Sequence, residues 1–170
     1  MKRLIIVRHA KSGFKNTNMI DFERPLSDKG IEEIKFISKI LKKLELKTDL
    51  ILCSSAVRTR ETLEGLWEEL DGENEKVVYD KGIYDYHMSE TLDYYLDLIS
   101  KVNDKNNVLV IIGHNPFVSR LTGFLSGNEN LGMGTLGVAI IDFDIEKWKE
   151  VREIKGILDL FINIGSYLKN

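Results

Sequence analysis

Leu4-Ile5-Ile6-Val7-Arg8-His9 and Val108-Leu109-Val110-Ile111-Ile112-Gly113-His114 decide the fold. Each is an unbroken apolar run, rich in β-branched residues, that stops at residues able to do chemistry. An unbroken run, rather than an alternating one, marks a strand covered on both faces, as in a parallel sheet. Leu50-Ile51-Leu52-Cys53 repeats the pattern, and Val77-Val78-Tyr79 is a shorter strand. Helical spacing fills the intervals. Ile34, Ile37, Leu41 and Leu44 follow Ser27, a candidate cap, and Leu63, Leu66, Trp67 and Leu70 mark a helix over residues 57–70. Ser89 can cap a helix from about Glu90 to Val102, and Pro116 suits the first turn of one running to about Leu125. This alternation predicts an α/β fold with a mainly parallel sheet. The last quarter differs: Val138 to Phe143 and Glu150 to Ile154 flank a polar segment and predict a hairpin or edge pair, with a helix or coil closing the chain.

The 170 residues predict one domain, 1–170, without a linker or repeat. A chain of this size buries about 70% of its unfolded surface, enough for a core without crosslinks. Hydrophobic residues at 43% and charged residues at 30% describe a globular rather than a disordered chain. A net charge of −3 disfavours a general nucleic-acid binder as partner. Cys53 is the sole cysteine, so no intrachain disulfide can form, which fits a reducing cytoplasm. The apolar run before Arg8 is too short for a signal peptide, and no stretch of about 18 apolar residues predicts a membrane span.

Several familiar spacings fail on inspection. Gly132, Gly134 and Gly137 match a dinucleotide fingerprint, but strand-like Val138-Ala139-Ile140-Ile141 follows where a helix is needed, so a flexible loop is expected. Gly127 and Gly132 have phosphate-loop spacing, but Met133 stands in the lysine position. Asp142, Asp144 and Glu146 begin like a calcium loop, but Lys147 replaces the required glycine. The histidines and the cysteine lack metal-ligand spacing, so neither a metal nor another cofactor is expected.

The strand ends carry the chemistry. Arg8-His9 follows the first strand, Ser54-Ser55-Ala56-Val57-Arg58 the second, and Gly113-His114-Asn115-Pro116 the strongest. Taken singly, these could be a surface pair, a solvated helix arginine and a satisfied turn histidine. Ligands of open α/β sheets bind outside the carboxyl ends of the strands, so three such placements point to one convergent site. Two guanidinium groups suit a phosphoryl group, a neutral imidazole can attack phosphorus, and a second imidazole can donate to a phosphoryl oxygen.

Leu4-Ile5-Ile6-Val7-Arg8-His9-Ala10-Lys11-Ser12 resembles the Arg-His-Gly signature of the histidine phosphatase superfamily. The Arg-His-Ala form, with Arg24-Pro25-Leu26 and Gly30, resembles its SixA-type phosphohistidine phosphatase branch. Ser54 to Thr62 resembles the second arginine motif, Val110 to Pro116 the second histidine motif, and the Trp148 to Gly156 region is in keeping with that branch. The resemblance implies a phosphoglycerate mutase-like, three-layer α/β/α sandwich with a central, mostly parallel sheet. It implies that His9 is the nucleophile and that Arg8, Arg58 and His114 complete a phosphate pocket, with phosphohistidine in a protein as substrate. A small phosphorylated substrate or a non-catalytic phosphate-binding module are the alternatives. Ala10, in place of glycine, reduces backbone freedom at the turn. Asp85 reads either as the proton donor or as a surface loop residue. Lys15, Arg24, Ser12 and Asn115 are the further candidates for substrate binding; Lys15 and Arg24 read equally as solvated charges, Ser12 as a cap or turn residue.

Overall fold

The computed structural model describes residues 1–14, 18–73, 76–84 and 92–164. Six strands form one sheet: β1 (Lys2–Arg8), β2 (Leu50–Ser54), β3 (Val77–Asp80), β4 (Val108–Gly113), β5 (Val138–Phe143) and β6 (Ile157–Ile162). Their order is β3-β2-β4-β1-β5-β6. β3, β2, β4 and β1 are parallel, and β5 and β6 add an antiparallel pair beside β1. The described helices are α1 (Asp28–Leu41), α2 (Val57–Gly65), α3 (Leu92–Ser100) and α4 (Phe117–Ser126).

The unbroken apolar runs explain the layering. In β1, Leu4 and Ile6 join a core with Tyr95, Ile99, Val118 and Leu121 from α3 and α4. Ile5 and Val7 face the other way, into a core with Ile34, Ile37 and Leu63 from α1 and α2. All four β1 side chains are fully buried. Successive strand residues point to opposite faces, so a strand between two helical layers must be apolar throughout. The fold is therefore the expected three-layer sandwich.

Ser27 caps α1, its Oγ accepting from Gly30 N–H at 3.2 Å. Gly30 is required by contact: a Cβ there would lie 2.1 Å from the Lys11 carbonyl oxygen. The first turn of α1 thus rests directly on the chain leaving β1.

Two expectations need correction. The helix over 57–70 ends at Gly65; Leu66 and Leu70 remain buried in the turns beyond it. The hairpin partner of β5 is Ile157–Ile162, not Glu150–Ile154. The latter stretch lies mostly in a 3₁₀ turn, Trp148–Arg152. Trp148 and Val151 are both buried in the same core. Residues three apart share a side of a 3₁₀ turn but point to opposite faces of a strand, so burial of both selects the turn. Trp148 Nε1 also donates to the Asn106 carbonyl at 2.8 Å. Ser89 and Glu90 lie outside the described residues, and α3 is described from Leu92.

Candidate active site

Because β1, β4 and β2 are parallel neighbours, their carboxyl ends reach one edge together. Arg8 pairs in register with Gly113, and Cys53 with Ile112. His9 N–H continues the ladder by donating to the Gly113 carbonyl at 3.1 Å. The His9 and His114 rings consequently lie side by side, centroids 5.1 Å apart.

His9 Nδ1 is 2.8 Å from the Ala10 carbonyl oxygen. A carbonyl only accepts, so this contact holds the proton on Nδ1 and leaves the Nε2 lone pair free. Burial lowers the His9 pKa to about 3; the Ala10 contact opposes this, while Arg58, Arg8 and Arg24 add to it. His114 is lowered to about 2, by burial first and then by His9 and the same arginines. Its Nε2 is 2.8 Å from Ser54 Oγ, which accepts from Ala56 N–H at 3.3 Å. Ser54 keeps its hydroxyl proton to donate, and in the tautomer that accepts it at Nε2 His114 carries its own proton on Nδ1.

Arg58, in the first turn of α2, donates through Nη1 to the Asp21 carbonyl at 2.7 Å and through Nη2 to Asp21 Oδ2 at 3.0 Å. Arg8 Nη1 donates to the Met133 carbonyl at 2.9 Å. Burial works against both cations; Glu33 supports Arg8 and Asp21 supports Arg58. Among the described residues, the buried side-chain nitrogens and oxygens without a partner are Arg8 Nε, Arg24 Nε, Arg58 Nε, His114 Nδ1, Thr48 Oγ1 and Tyr95 OH. Four of these six belong to site residues expected from the sequence. Buried polar atoms are nearly always paired, so such a concentration marks a place shaped for a ligand. Two of these residues, Arg58 and His114, line a cleft of about 240 Å³ together with Asp21, Tyr84, Asn115 and Phe117. A larger groove of about 650 Å³ beside α2, lined by Arg60, Glu64, Trp67 and Tyr79 among others, contains none of them.

The remaining candidates are placed differently. Arg24 Nε lies 3.0 Å from Asp21 Oδ1, out of hydrogen-bond alignment, and its guanidinium sits 4.8 Å over the Phe14 ring. Asn115 is engaged at both ends: Nδ2 donates to the Met133 carbonyl at 2.8 Å and Oδ1 accepts from Ser119 Oγ at 2.7 Å. Ser12 forms an isolated bridge with Leu26. Lys15 and Asp85 lie outside the described residues. Ala10 is absent from the described non-glycine residues with positive φ; its N–H donates to Thr62 Oγ1 at 3.0 Å and its methyl is buried. The turn accepts alanine because it does not use glycine's extra freedom.

Asp21, Tyr84, Ser54 and the Met133 carbonyl escaped the sequence reading. Ser54 had a signal, being the polar residue at the end of β2. The glycine-bearing loop read as flexible is tied to the site instead: Arg8 N–H donates to the Gly137 carbonyl at 3.0 Å and Leu136 N–H to the His9 carbonyl at 3.1 Å.

A family model described as the histidine phosphatase superfamily (branch 1) matches residues 4–94. An uncharacterised chloroplastic protein of Arabidopsis thaliana is 30% identical over 159 residues, covering 91% of this chain and 72% of that protein. A crystal structure from Agrobacterium tumefaciens, bearing the name phosphohistidine phosphatase SixA, aligns with a TM-score of 0.77 at 26% identity, over 95% of this chain and 97% of that one. The protein histidine phosphatase SixA complexed with tungstate aligns with a TM-score of 0.72 at 21% identity, over 95% and 96% of the two chains. The family match begins at β1 and spans both arginine motifs, and the sheet and its two helical layers continue the likeness to the end of the described chain: this protein belongs to the histidine phosphatase superfamily, branch 1, on its SixA-like side.

Proposed function

We propose that the protein hydrolyses phosphohistidine in a partner protein, through a phosphoryl group carried transiently on His9. The observation that carries this reading is the free Nε2 of His9 among buried nitrogens that lack partners. In the first step His9 Nε2 bonds to phosphorus as the bond to the leaving nitrogen breaks. Arg8 Nε–H, Arg58 Nε–H and His114 Nδ1–H donate to the phosphoryl oxygens, whose charge grows in the transition state. Water then attacks phosphorus, inorganic phosphate departs and His9 is regenerated. Burial of His9 keeps Nε2 unprotonated throughout the neutral range.

The leaving group and the acid are linked. An alkoxide needs a proton donor, worth about 10²–10⁴ in rate, whereas an imidazole departs with little help. Asp85 is the candidate donor, and it follows Tyr84, which lines the cleft. The names of two similar structures, phosphohistidine phosphatase SixA and protein histidine phosphatase SixA, support the same substrate class. Among the described residues no helix is long and apolar enough to cross a membrane.

The test is a panel of phosphohistidine protein, p-nitrophenyl phosphate and sugar phosphates, with acid-quench trapping of phosphorylated His9 and a parallel assay in excess EDTA. Fast turnover of phosphohistidine, a trapped intermediate and indifference to EDTA are expected. Preference for a sugar phosphate favours a small-molecule phosphatase, and binding without turnover favours a phosphate-binding module.

A further inference from the structure

A carboxylate stands in the wall of a cleft otherwise built for an anion. Asp21 Oδ2 accepts from Arg58 Nη2 at 3.0 Å and from Tyr84 OH at 3.1 Å, and Oδ1 lies 3.0 Å from Arg24 Nε. The side chain is 49% exposed, so its remaining acceptor positions can be reached from the cleft. Burial raises the Asp21 pKa, but Arg58 and Arg24 outweigh it and hold the carboxyl below its usual range, charged at neutral pH. Toward a substrate bearing only negative charge, this carboxylate is repulsive. Toward a substrate with a cation next to its phosphoryl group, the sign reverses.

Building on the phosphohistidine reading, we propose that Asp21 is the specificity-determining residue that selects the protonated phosphohistidine ring. The Asp21 carboxylate accepts the N–H of the ring nitrogen that does not carry phosphorus. Arg58 allows both contacts at once. Its Nη1/Nη2 edge holds Asp21, while its buried Nε–H has no partner. Carboxylate and phosphoryl group therefore occupy neighbouring edges of one guanidinium. Tyr84 supplies a wall for the ring and is itself held: it meets Phe22 edge-on at 4.9 Å and His114 at 5.6 Å, with the Arg58 guanidinium 5.7 Å from its centroid.

The chemistry balances without an added acid. His9 Nε2 forms its bond to phosphorus as the substrate's P–N bond breaks, and that bond's electron pair stays on the departing nitrogen. Because the other ring nitrogen already carries a proton, the group leaves as neutral imidazole rather than imidazolate. Asp21 favours the protonated ring, the form that leaves easily.

Asp21→Asn removes the charge and keeps an acceptor for Arg58. Each variant is assayed with phosphoimidazole and p-nitrophenyl phosphate in one preparation, so that folding losses cancel in the ratio of the two kcat/KM values. The ratio should fall about tenfold or more in Asp21→Asn, the scale of one charge-assisted hydrogen bond, and recover in part in Asp21→Glu. Competitive inhibition by orthovanadate should tighten in Asp21→Asn as repulsion is lost. Equal losses on both substrates would overturn the proposal and reduce Asp21 to a support for Arg58. Failure of the phosphohistidine reading shows separately, as unmodified protein that cleaves p-nitrophenyl phosphate and leaves phosphoimidazole intact, and it overturns this inference as well.

Discussion

The two ends of β1 both bury nitrogens of positive side chains, and they treat them in opposite ways. At the amino end Lys2 is 3% exposed and its Nζ donates to the carbonyls of Asp104 and Asn106 and to Asn107 Oδ1, with the Trp148 ring 5.8 Å away. All three of its N–H groups have acceptors. At the carboxyl end Arg8 and Arg58 each keep a buried Nε without a partner, and His114 keeps Nδ1. An unpaired buried polar group costs about 1–3 kcal/mol. A fold that satisfies a buried cation at one end of a strand and leaves three nitrogens unsatisfied at the other has divided its labour. One end fastens the sheet, and the other leaves polar nitrogens open.

The largest effect that could break this contrast is on turnover. His9→Ala should lower kcat by at least about a hundredfold by removing the covalent route, with the circular dichroism spectrum retained. More than a few per cent of residual activity would refute the mechanism. Lys2→Met should do the reverse, leaving turnover per folded molecule intact while lowering unfolding free energy by about 2 kcal/mol, since the Asp104, Asn106 and Asn107 acceptors lose their donor. A loss of kcat without a loss of stability would erase the distinction between the two ends.

Acid should then expose the strain at the active-site end. His9 and His114 have folded pKa values of about 3 and about 2, below the unfolded value of 6.5. Between those limits the unfolded chain binds more protons, so stability rises with pH across the window and is lost as pH falls through 6.5. Urea unfolding should show a loss of roughly 1 kcal/mol between pH 7 and pH 6. A histidine carbon resonance from either residue titrating near pH 6.5 would contradict the burial argument. The smallest effect is ligand stabilisation. Tungstate at about three times its Kd should add about 0.8 kcal/mol to stability, a Tm rise of about 2 °C. Lys2→Met should retain the shift and Arg58→Ala should abolish it; equal shifts in both would place the anion elsewhere.

The parts of this molecule that were legible in advance are those set by short-range pattern. The unbroken apolar runs of β1, β2 and β4 announce strands covered on both sides, and the residues that follow them announce the edge where His9, Arg58 and His114 meet. The hairpin was misplaced because Trp148 and Val151 satisfy a strand by composition and a 3₁₀ turn only by spacing. Asp21 was invisible for another reason. Its partner Arg58 is 37 residues away, and nothing local to Asp21-Phe22-Glu23 signals that a guanidinium will close on it. The Met133 carbonyl, 125 residues from Arg8, is equally silent, since any residue offers a carbonyl.

The register of Arg8 against Gly113 has a consequence for remodelling this enzyme. Parallel strands in register deliver the next residue of each chain at the same height, so the separation of the two imidazoles is measured out by the sheet and not by the loops. A slip of one residue would shift one ring by about 3.3 Å and turn it to the other face of the sheet. The sheet acts as a ruler whose zero mark is cut into the core, where Leu4, Ile6, Leu109 and Ile111 lock it. Segments above that edge can therefore be exchanged while the separation of the two imidazoles stays constant.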